Sequence, residues 1–414
     1  MAQDNQANNV NQLSVPNKDA LAHSNKLSCS IQKKMAQAGG RLSFTDYMQA
    51  VLYEPGLGYY SAGSAKLGEH GDFVTAPEIS SLFSKSIAQA ILPALAVVHD
   101  NNILEVGAGS GKMASDILGH LEQLQQLPSR YFILELSADL RSRQQQRIKE
   151  SHPSLYDRVE WLDTIPDNLN AVVIANELLD AMPVVRFKKE NHSVSVEQVE
   201  SDGDGFKSFY QPCDLDDNNQ LNQRIIERIN KLERDYGELD DNFVSEINFN
   251  AEDWLASVSQ SLQSGVILLI DYGYPQHEYY HAQRNTGTLN CFYRHRHHNN
   301  PFLYPGLQDL TAHVDFTAIA DAALKNNLNV IGYTTQANFL FGAGIAQLAE
   351  SSIDVTESNA TDQKLIIKQI ELAGKIKKLT MPYEMGEIVK VIGFSKDCNI
   401  TLDAFSYNDM RDHL

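Results

Sequence analysis

Ile103-Leu-Glu-Val-Gly-Ala-Gly-Ser-Gly-Lys112 is a short apolar run that ends in three glycines at alternate positions, Gly107, Gly109 and Gly111. Behind it Met113, Ile117, Leu118, Leu121 and Leu124 recur at the spacing of one helix face. Strand, glycine turn and helix in that order open a nucleotide-binding α/β domain. Residues without a Cβ let the chain turn sharply and let a ligand reach the backbone. The dinucleotide fingerprint G-x-G-x-x-G needs glycine at 112, where Lys112 stands, and this counts against a nicotinamide cofactor. Glycine turns follow strands in many α/β proteins, so the turn alone leaves the ligand open.

The whole chain narrows the classes. Its 414 residues allow one large core or two smaller ones, and 43% apolar content is that of an ordinary globular protein. No apolar run has the length of a membrane span, so no membrane insertion is expected. Residues 1–26 are rich in Asn and Gln, lack arginine, and have the character of neither a secretory nor a transit peptide. They read as a disordered lead-in of a bacterial-type, cytoplasmic protein. Cys29, Cys213, Cys291 and Cys398 are far apart, form no metal pair and suit reduced thiols. A formal charge of −19 argues against nucleic acid as the main partner and is compatible with a cationic substrate, although acidity serves solubility alone in many proteins.

In chain order, Ile31, Met35, Phe44, Tyr47, Met48 and Leu52 mark a helical region over 27–53, with Ser43 as an N-cap. An aromatic and glycine turn at 53–60 and a loop carrying Asp72, Thr75 and Glu78 follow, then a helix through Leu82, Ile87, Ile91 and Leu95. Tyr131-Phe-Ile-Leu-Glu135 is a buried strand ending in an acid about 24 residues past the glycine turn. Such an acid serves a ribose, whose two neighbouring hydroxyls match one carboxylate; the alternative is an exposed strand-end acid. Arg158–Asp163 reads as a third strand. Ala171–Asn176 reads as a fourth, followed by the acidic loop of Glu177 and Asp180. Ligands of open parallel sheets sit beyond the carboxyl ends of the strands, which places Asn176, Glu177 and Asp180 at a site, although Asn176 or Asp180 could equally cap a helix.

Residues 184–262 read as inserted material, with strands at Val184–Phe187 and Ser193–Val199 and helices around Ile225 and Trp254. Gly265–Gly273 is the strongest strand, apolar throughout as in a sheet covered on both faces, and it contains Asp271 near its end. Arg294-His-Arg-His-His298 is the one dense histidine cluster. No ordered ligand spacing supports a metal there, and it reads as a basic or substrate-facing loop. His313 and Asp315 precede a helix through Ile319 and Leu324; either is an active-site candidate, and Asp315 equally an N-cap. Strands are expected at Leu328–Thr334 and Glu387–Phe394. The segment 337–379 is expected as helix buried through Leu365, Ile366, Ile370, Ala373 and Ile376.

Glu105 followed by G-x-G-x-G resembles the first motif of class I S-adenosylmethionine (SAM) methyltransferases. Six segments together resemble the MidA-type SAM-dependent methyltransferases, whose mitochondrial members assist assembly of respiratory complex I. They are Tyr53–Tyr60, Gly71–Ser80, Glu105–Gly111, Asn176–Pro183, Leu269–Gly273 and Asp309–Phe316, in the expected order. The resemblance implies an α/β class I fold, with a mostly parallel Rossmann-like sheet, a helical N-terminal region and an inserted α+β lobe. The corresponding divisions are 1–26, 27–100 contributing to the site, 101–183 binding SAM, 184–262 over the substrate side, 263–395 as the second half with a helical insertion, and a tail over 396–414.

It further implies that Gly107, Gly109, Gly111 and Glu135 hold SAM with Asp72 nearby, and that Glu177 and Asp180 face the acceptor. Glu105, Asn176 and, toward the adenine amino group, Asp163 join the cofactor candidates; His313 joins the catalytic ones. No metal is required. The implied reaction is symmetric dimethylation of arginine on a subunit of the NADH dehydrogenase. Rival readings are a small-molecule SAM methyltransferase and a non-catalytic, SAM-binding assembly factor.

Overall fold

A computed structural model describes residues 13–62, 75–191, 193–213, 219–352 and 362–414. Asp72 lies outside the described residues. Seven strands build the main sheet: β1 (Ile103–Val106), β2 (Tyr131–Leu134), β3 (Val159–Leu162), β4 (Leu169–Asn176), β5 (Leu262–Tyr274), β6 (Asn329–Thr335) and β7 (Val389–Lys396). Their order is β3-β2-β1-β4-β5-β7-β6. Neighbours among β1 to β5 are parallel, and β7 enters antiparallel between β5 and β6. The short strand Val314–Asp315 adds itself to the end of β5. This is the α/β, class I methyltransferase-like architecture expected from the motifs.

The sheet is covered on both faces, which is why β1, β4 and β5 are nearly continuous apolar runs. On one face Ile103, Val172 and Leu268 pack against Ile87 and Ile91 of helix Ser81–Val97 and Ile117 of helix Lys112–Gln123. On the other, Leu104, Val173 and Leu269 meet Leu255 and Val258 of helix Phe249–Ser261 and Ile319 of helix Phe316–Lys325. The acid-bearing loops therefore emerge at one carboxyl edge.

The inserted lobe is a five-stranded antiparallel sheet. Arg41–Ser43 from the N-terminal region pairs with Ser193–Asp202, which also pairs with Val185–Glu190 and Gly205–Pro212; Val244–Ile247 closes the other side. The N-terminal region and the lobe thus share one layer.

Several expectations need correction. Residues 18–26 are not a disordered lead-in: Asn17 caps a helix over Lys18–Gln37 that buries Leu27, Ile31 and Met35. The histidine loop is a hairpin between Asn290–Tyr293 and Arg296–His298, turned by Arg294 and His295 at positive φ. Helix Asp362–Thr380 leaves Ile366 and Ile370 more than half exposed and Ala373 exposed; of the expected face Ile376 packs, and it docks together with Leu372 and Leu379. Those three residues fall on one face at i, i+4 and i+7, a register the more crowded run of isoleucines hides. The segment after β7, marked only as a tail by the sequence, is packed: Phe405 lies over Gly332 and Gly393. All four cysteines are free thiols. Among the described residues no helix is long and apolar enough to cross a membrane.

Candidate active site

Gly107, Gly109 and Gly111 all adopt positive φ, at 72°, 53° and 76°. A Cβ at Gly107 would come within 3.1 Å of Leu178 Cδ1, and one at Gly111 within 3.1 Å of Gln144 Cα. The turn is therefore closed to side chains on two counts, backbone conformation and space. Gly111 caps helix Lys112–Gln123, so the positive end of that helix faces the turn.

Glu135 follows β2 and is buried. Its Oε1 accepts from Ser137 N at 2.9 Å and its Oε2 from Gln144 Nε2 at 3.0 Å. Burial raises its pKa, opposed by those same hydrogen bonds. Gln144 Nε2 also donates to Gly109 O at 2.9 Å, and its Oε1 accepts from Trp161 Nε1 at 3.0 Å. One fully buried amide thus fixes the carboxylate, the glycine turn and β3 relative to one another. Sequence reading did not find it, because Gln144 is the first of three consecutive glutamines in a polar helix.

Glu105 lies within β1 beneath the turn, where its carboxylate accepts from Tyr131 Oη at 2.5 Å. Burial pushes it up to about 7. Asp163, past β3, is 89% exposed and paired with Arg141 at 2.9 Å.

The second half of the site is one strand away. Register pairs Val106 of β1 with Leu134 of β2 and Ala175 of β4, so Glu135 and Glu177 leave the same edge of the sheet. Glu177 has φ 50°, and its N–H donates to Ile270 O at 2.8 Å. Its carboxylate accepts from Ala76 N and Asn176 Nδ2, both at 3.4 Å. Burial, then the nearby Asp271, pushes Glu177 up to about 8.

Asp271 of β5 accepts three successive amides of the loop with Oδ2: Leu178 at 3.1 Å, Leu179 at 2.7 Å and Asp180 at 3.3 Å. It still lies near 7 because of burial. Asp180 is held well above the carboxylate range by burial and by Asp271, Glu177 and Asp309. Asp309 accepts Tyr60 Oη at 3.0 Å, and Tyr60 stacks on Tyr53 with ring centroids 5.5 Å apart. The hydroxyl of Tyr53 donates to Ala181 O at 3.0 Å. Glu177 and Asp180 are thus brought together as expected. Asp271, Asp309, Tyr53 and Tyr60 join them, standing within segments already singled out but without an assigned role.

His313 is not brought to these acids. Its ring lies 5.3 Å from that of Tyr274, its N–H donates to Thr288 Oγ1, and burial with Arg284 and Lys390 lowers it to about 4. It is a neutral imidazole packed beyond β5. Asp315 takes the N-cap role, accepting from Ala318 N at 3.0 Å.

The residues fit a sulfonium nucleoside. A glycine bend excludes side chains, a buried carboxylate sits two strands from the acid loop, and Asn176 Oδ1 is buried with no hydrogen-bond partner among the described residues. Comparison with known proteins agrees. Residues 86–334 match Methyltransf_28, described as "Putative S-adenosyl-L-methionine-dependent methyltransferase". A crystal structure of a "likely methyl transferase" from Burkholderia thailandensis, bound to S-adenosyl-homocysteine, superposes with a TM-score of 0.88 at 38% identity, over 97% of this chain and 100% of that one. The mouse mitochondrial protein arginine methyltransferase NDUFAF7 is 27% identical over 405 residues, 88% of this chain and 84% of its own. Its Drosophila melanogaster homolog is 26% identical over 73% of this chain and 71% of its own. With the strand order, the bend and the buried acid in place, the MidA-type resemblance holds: this chain belongs to the Methyltransf_28 family of methyltransferases, and the cofactor it depends on is SAM.

Proposed function

We propose that the protein methylates the guanidinium of an arginine in a protein substrate. The observation that carries this reading is the group of buried carboxylates at the carboxyl edge. Among the described residues no lysine or arginine pairs with Glu177, Asp180 or Asp271, and each is raised by burial and, for Glu177 and Asp180, by its acidic neighbours. A site of this kind gains most from a ligand that brings positive charge and several N–H donors, as a guanidinium does. The names of the mouse and fly relatives support the same acceptor. Symmetric dimethylation, and an NADH dehydrogenase subunit as target, belong to the proposal through the family resemblance alone.

When bound, SAM supplies an electrophilic methyl on a sulfonium. The protein's task is alignment and charge. The glycine bend and Glu135 set the cofactor's position, and Glu177 and Asp180 grip the acceptor from the next strand. A guanidinium keeps its proton at neutral pH, with a pKa above about 12, so a free lone pair must be created as the methyl arrives. Carboxylates on the outer N–H groups hold charge away from the attacking nitrogen. The proton that nitrogen releases passes to Glu177, whose raised affinity for protons suits it as acceptor.

The test is methyl transfer from labelled SAM to arginine-containing proteins, read by mass spectrometry of the labelled residue. Label on arginine, with Glu177→Gln lowering turnover by roughly 100-fold and leaving SAM affinity within about 3-fold, is expected. Label confined to small molecules, or unchanged turnover in Glu177→Gln, overturns the assignment.

A further inference from the structure

A second cluster of ligating side chains lies outside the methyl-transfer site, where the C-terminal turn meets the chain leaving β5. His277 and Glu278 stand on the short helix Gln276–Tyr279, and His413 on the turn Arg411–His413. Each offers one donor atom, and the three atoms lie within 4.8 Å of one another. His277 Nε2 is 3.8 Å from Glu278 Oε1. Asp412 Oδ1, 3.9 Å from His413 Nε2, adds a further anionic oxygen. All three side chains are close to half exposed, so a cation would reach them from solvent and keep water in its remaining positions.

Both supports are held by hydrogen bonds to neighbouring elements. Gln276 is buried, takes Thr317 Oγ1 on its N–H at 2.9 Å, and donates through Nε2 to Asp315 at 2.9 Å. Tyr279 is buried beside it. On the other side Met410 N donates to Tyr333 O at 2.7 Å, Asn408 O accepts from Thr334 Oγ1 at 2.6 Å, and Arg411 reaches Val330 O at 3.1 Å. The donors are therefore presented, within 4.8 Å of one another, by anchored segments.

We infer that His277, Glu278 and His413 form a surface site for a borderline divalent cation such as Zn²⁺, which fastens the C-terminal turn to the segment after β5. Two imidazoles and one carboxylate are a donor set that zinc uses, with water completing the shell. The same set disfavours Mg²⁺ and Ca²⁺, which take all-oxygen shells. The site is independent of methyl transfer: its ligands touch none of the groups that hold SAM or face the acceptor. Because the cation would bridge positions 277 and 413, binding is coupled to the docking of the C-terminal turn.

Calorimetric titration of ZnCl₂ into chelator-stripped full-length protein at neutral pH tests this, beside His277→Ala, His413→Ala, Glu278→Gln and the exposed control His99→Ala. One equivalent bound with micromolar or tighter affinity, weakened at least tenfold in both alanine variants and unaltered in the control, is expected. Hydrogen exchange supplies the second readout: Zn²⁺ should raise amide protection over 408–414 in the wild type and not in His277→Ala. The substituted side chains are half exposed, and with circular dichroism as the check on folding, lost binding reports lost ligands. Absence of a bound equivalent, or binding that survives either alanine substitution, overturns the site. Zinc binding without added protection of the C-terminal turn overturns the fastening role.

Discussion

Asp271 Oδ2 accepts the amide hydrogen of Leu179 at 2.7 Å, and the same oxygen takes those of Leu178 and Asp180. A carboxylate buried at the end of β5 thus shapes the loop after β4 that carries Glu177 and Asp180. Hydrogen bonds to a charged group contribute roughly 1.5–3 kcal/mol each, and sharing one oxygen reduces the sum. Asp271→Asn keeps the volume but turns either a weaker acceptor or a donor toward three donors. Turnover is expected to fall by at least tenfold and SAM affinity to stay within about 3-fold, since the hydrogen bonds of Asp271 go to the loop and to Tyr272 and none to the glycine turn itself. Steady-state kinetics beside calorimetry separates the two. Equal losses in both would place Asp271 in general folding and not in the acceptor loop.

Gln144 makes the opposite prediction. Its amide joins Glu135, Gly109 and Trp161, so its removal strikes the cofactor half of the site. Gln144→Ala leaves Glu135 Oε2 and Gly109 O without their donor, at a cost of about 1–3 kcal/mol for unsatisfied buried groups. SAM affinity is expected to fall about tenfold or more, visible by calorimetry, with the acid loop after β4 unaltered. Gln144→Glu is expected to be worse, because it sets a second carboxylate against Glu135 and presents an acceptor to Gly109 O.

These two residues mark how far the sequence could be read. The glycine bend, the acid after β2 and the acid loop after β4 were legible because each lies at a strand end with its own local pattern, and strand ends are where such sheets bind ligands. Asp271 and Asp309 were visible as acids in recognisable segments, but their roles depend on which backbone groups another strand brings to them. Gln144 carries no local signal, since its partners are 9, 17 and 35 positions away. Helix Asp362–Thr380 fails for a different reason. Isoleucines sit on two of its faces, and only docking decides which is buried.

The buried acids at this edge impose a pH dependence. Glu177 lies at about 8 in the folded protein against an ordinary value of 4.5, and Asp271 at about 7 against 3.8. A folded pKa raised in this way means the native state binds more protons than the unfolded chain across that interval. Stability of the substrate-free protein should therefore be greatest below pH 4 to 4.5 as far as these groups go, and decline as pH rises through 8. Glu177→Gln removes one titrating group, so urea midpoints between pH 5.5 and 8.5 should fall less steeply in the variant. The binding side has the reverse sign. A cationic acceptor favours ionised acids, so kcat/KM should climb over the same range, and a flat profile would show that the acids do not meet the acceptor.

The packed C-terminus gives a stability prediction. A Cβ on Gly332 would come within 2.1 Å of Phe405 Cγ, and one on Gly393 within 2.8 Å of its ring. Phe405 covers two glycines that have no side chains of their own, between β6 and β7. Phe405→Ala should cost about 3–5 kcal/mol, as for other large-to-small core changes. Gly332→Ala should destabilise by expelling the ring. If both changes leave the urea midpoint unaltered, the segment after β7 does not contribute to the core.

Arg186 in the inserted lobe is the reverse case of Glu177 and Asp180, a buried charge that has its partners. It bonds Glu197 at 2.5 Å and Glu246 at 3.1 Å, and both carboxylates have no exposed surface. Glu246 in turn accepts the N–H and hydroxyl of Thr288, whose Oγ1 receives the N–H of His313. Arg186→Met strands two carboxylates in the interior, with an expected loss of about 3–5 kcal/mol. Replacing Arg186, Glu197 and Glu246 together by apolar residues of similar volume should restore most of it, because the desolvation of all three ions disappears with the charges. Denaturant unfolding of the single and triple variants distinguishes the outcomes. A triple variant as unstable as Arg186→Met would mean that the lobe depends on the hydrogen bonds from Thr288 to Glu246, and not on charge balance.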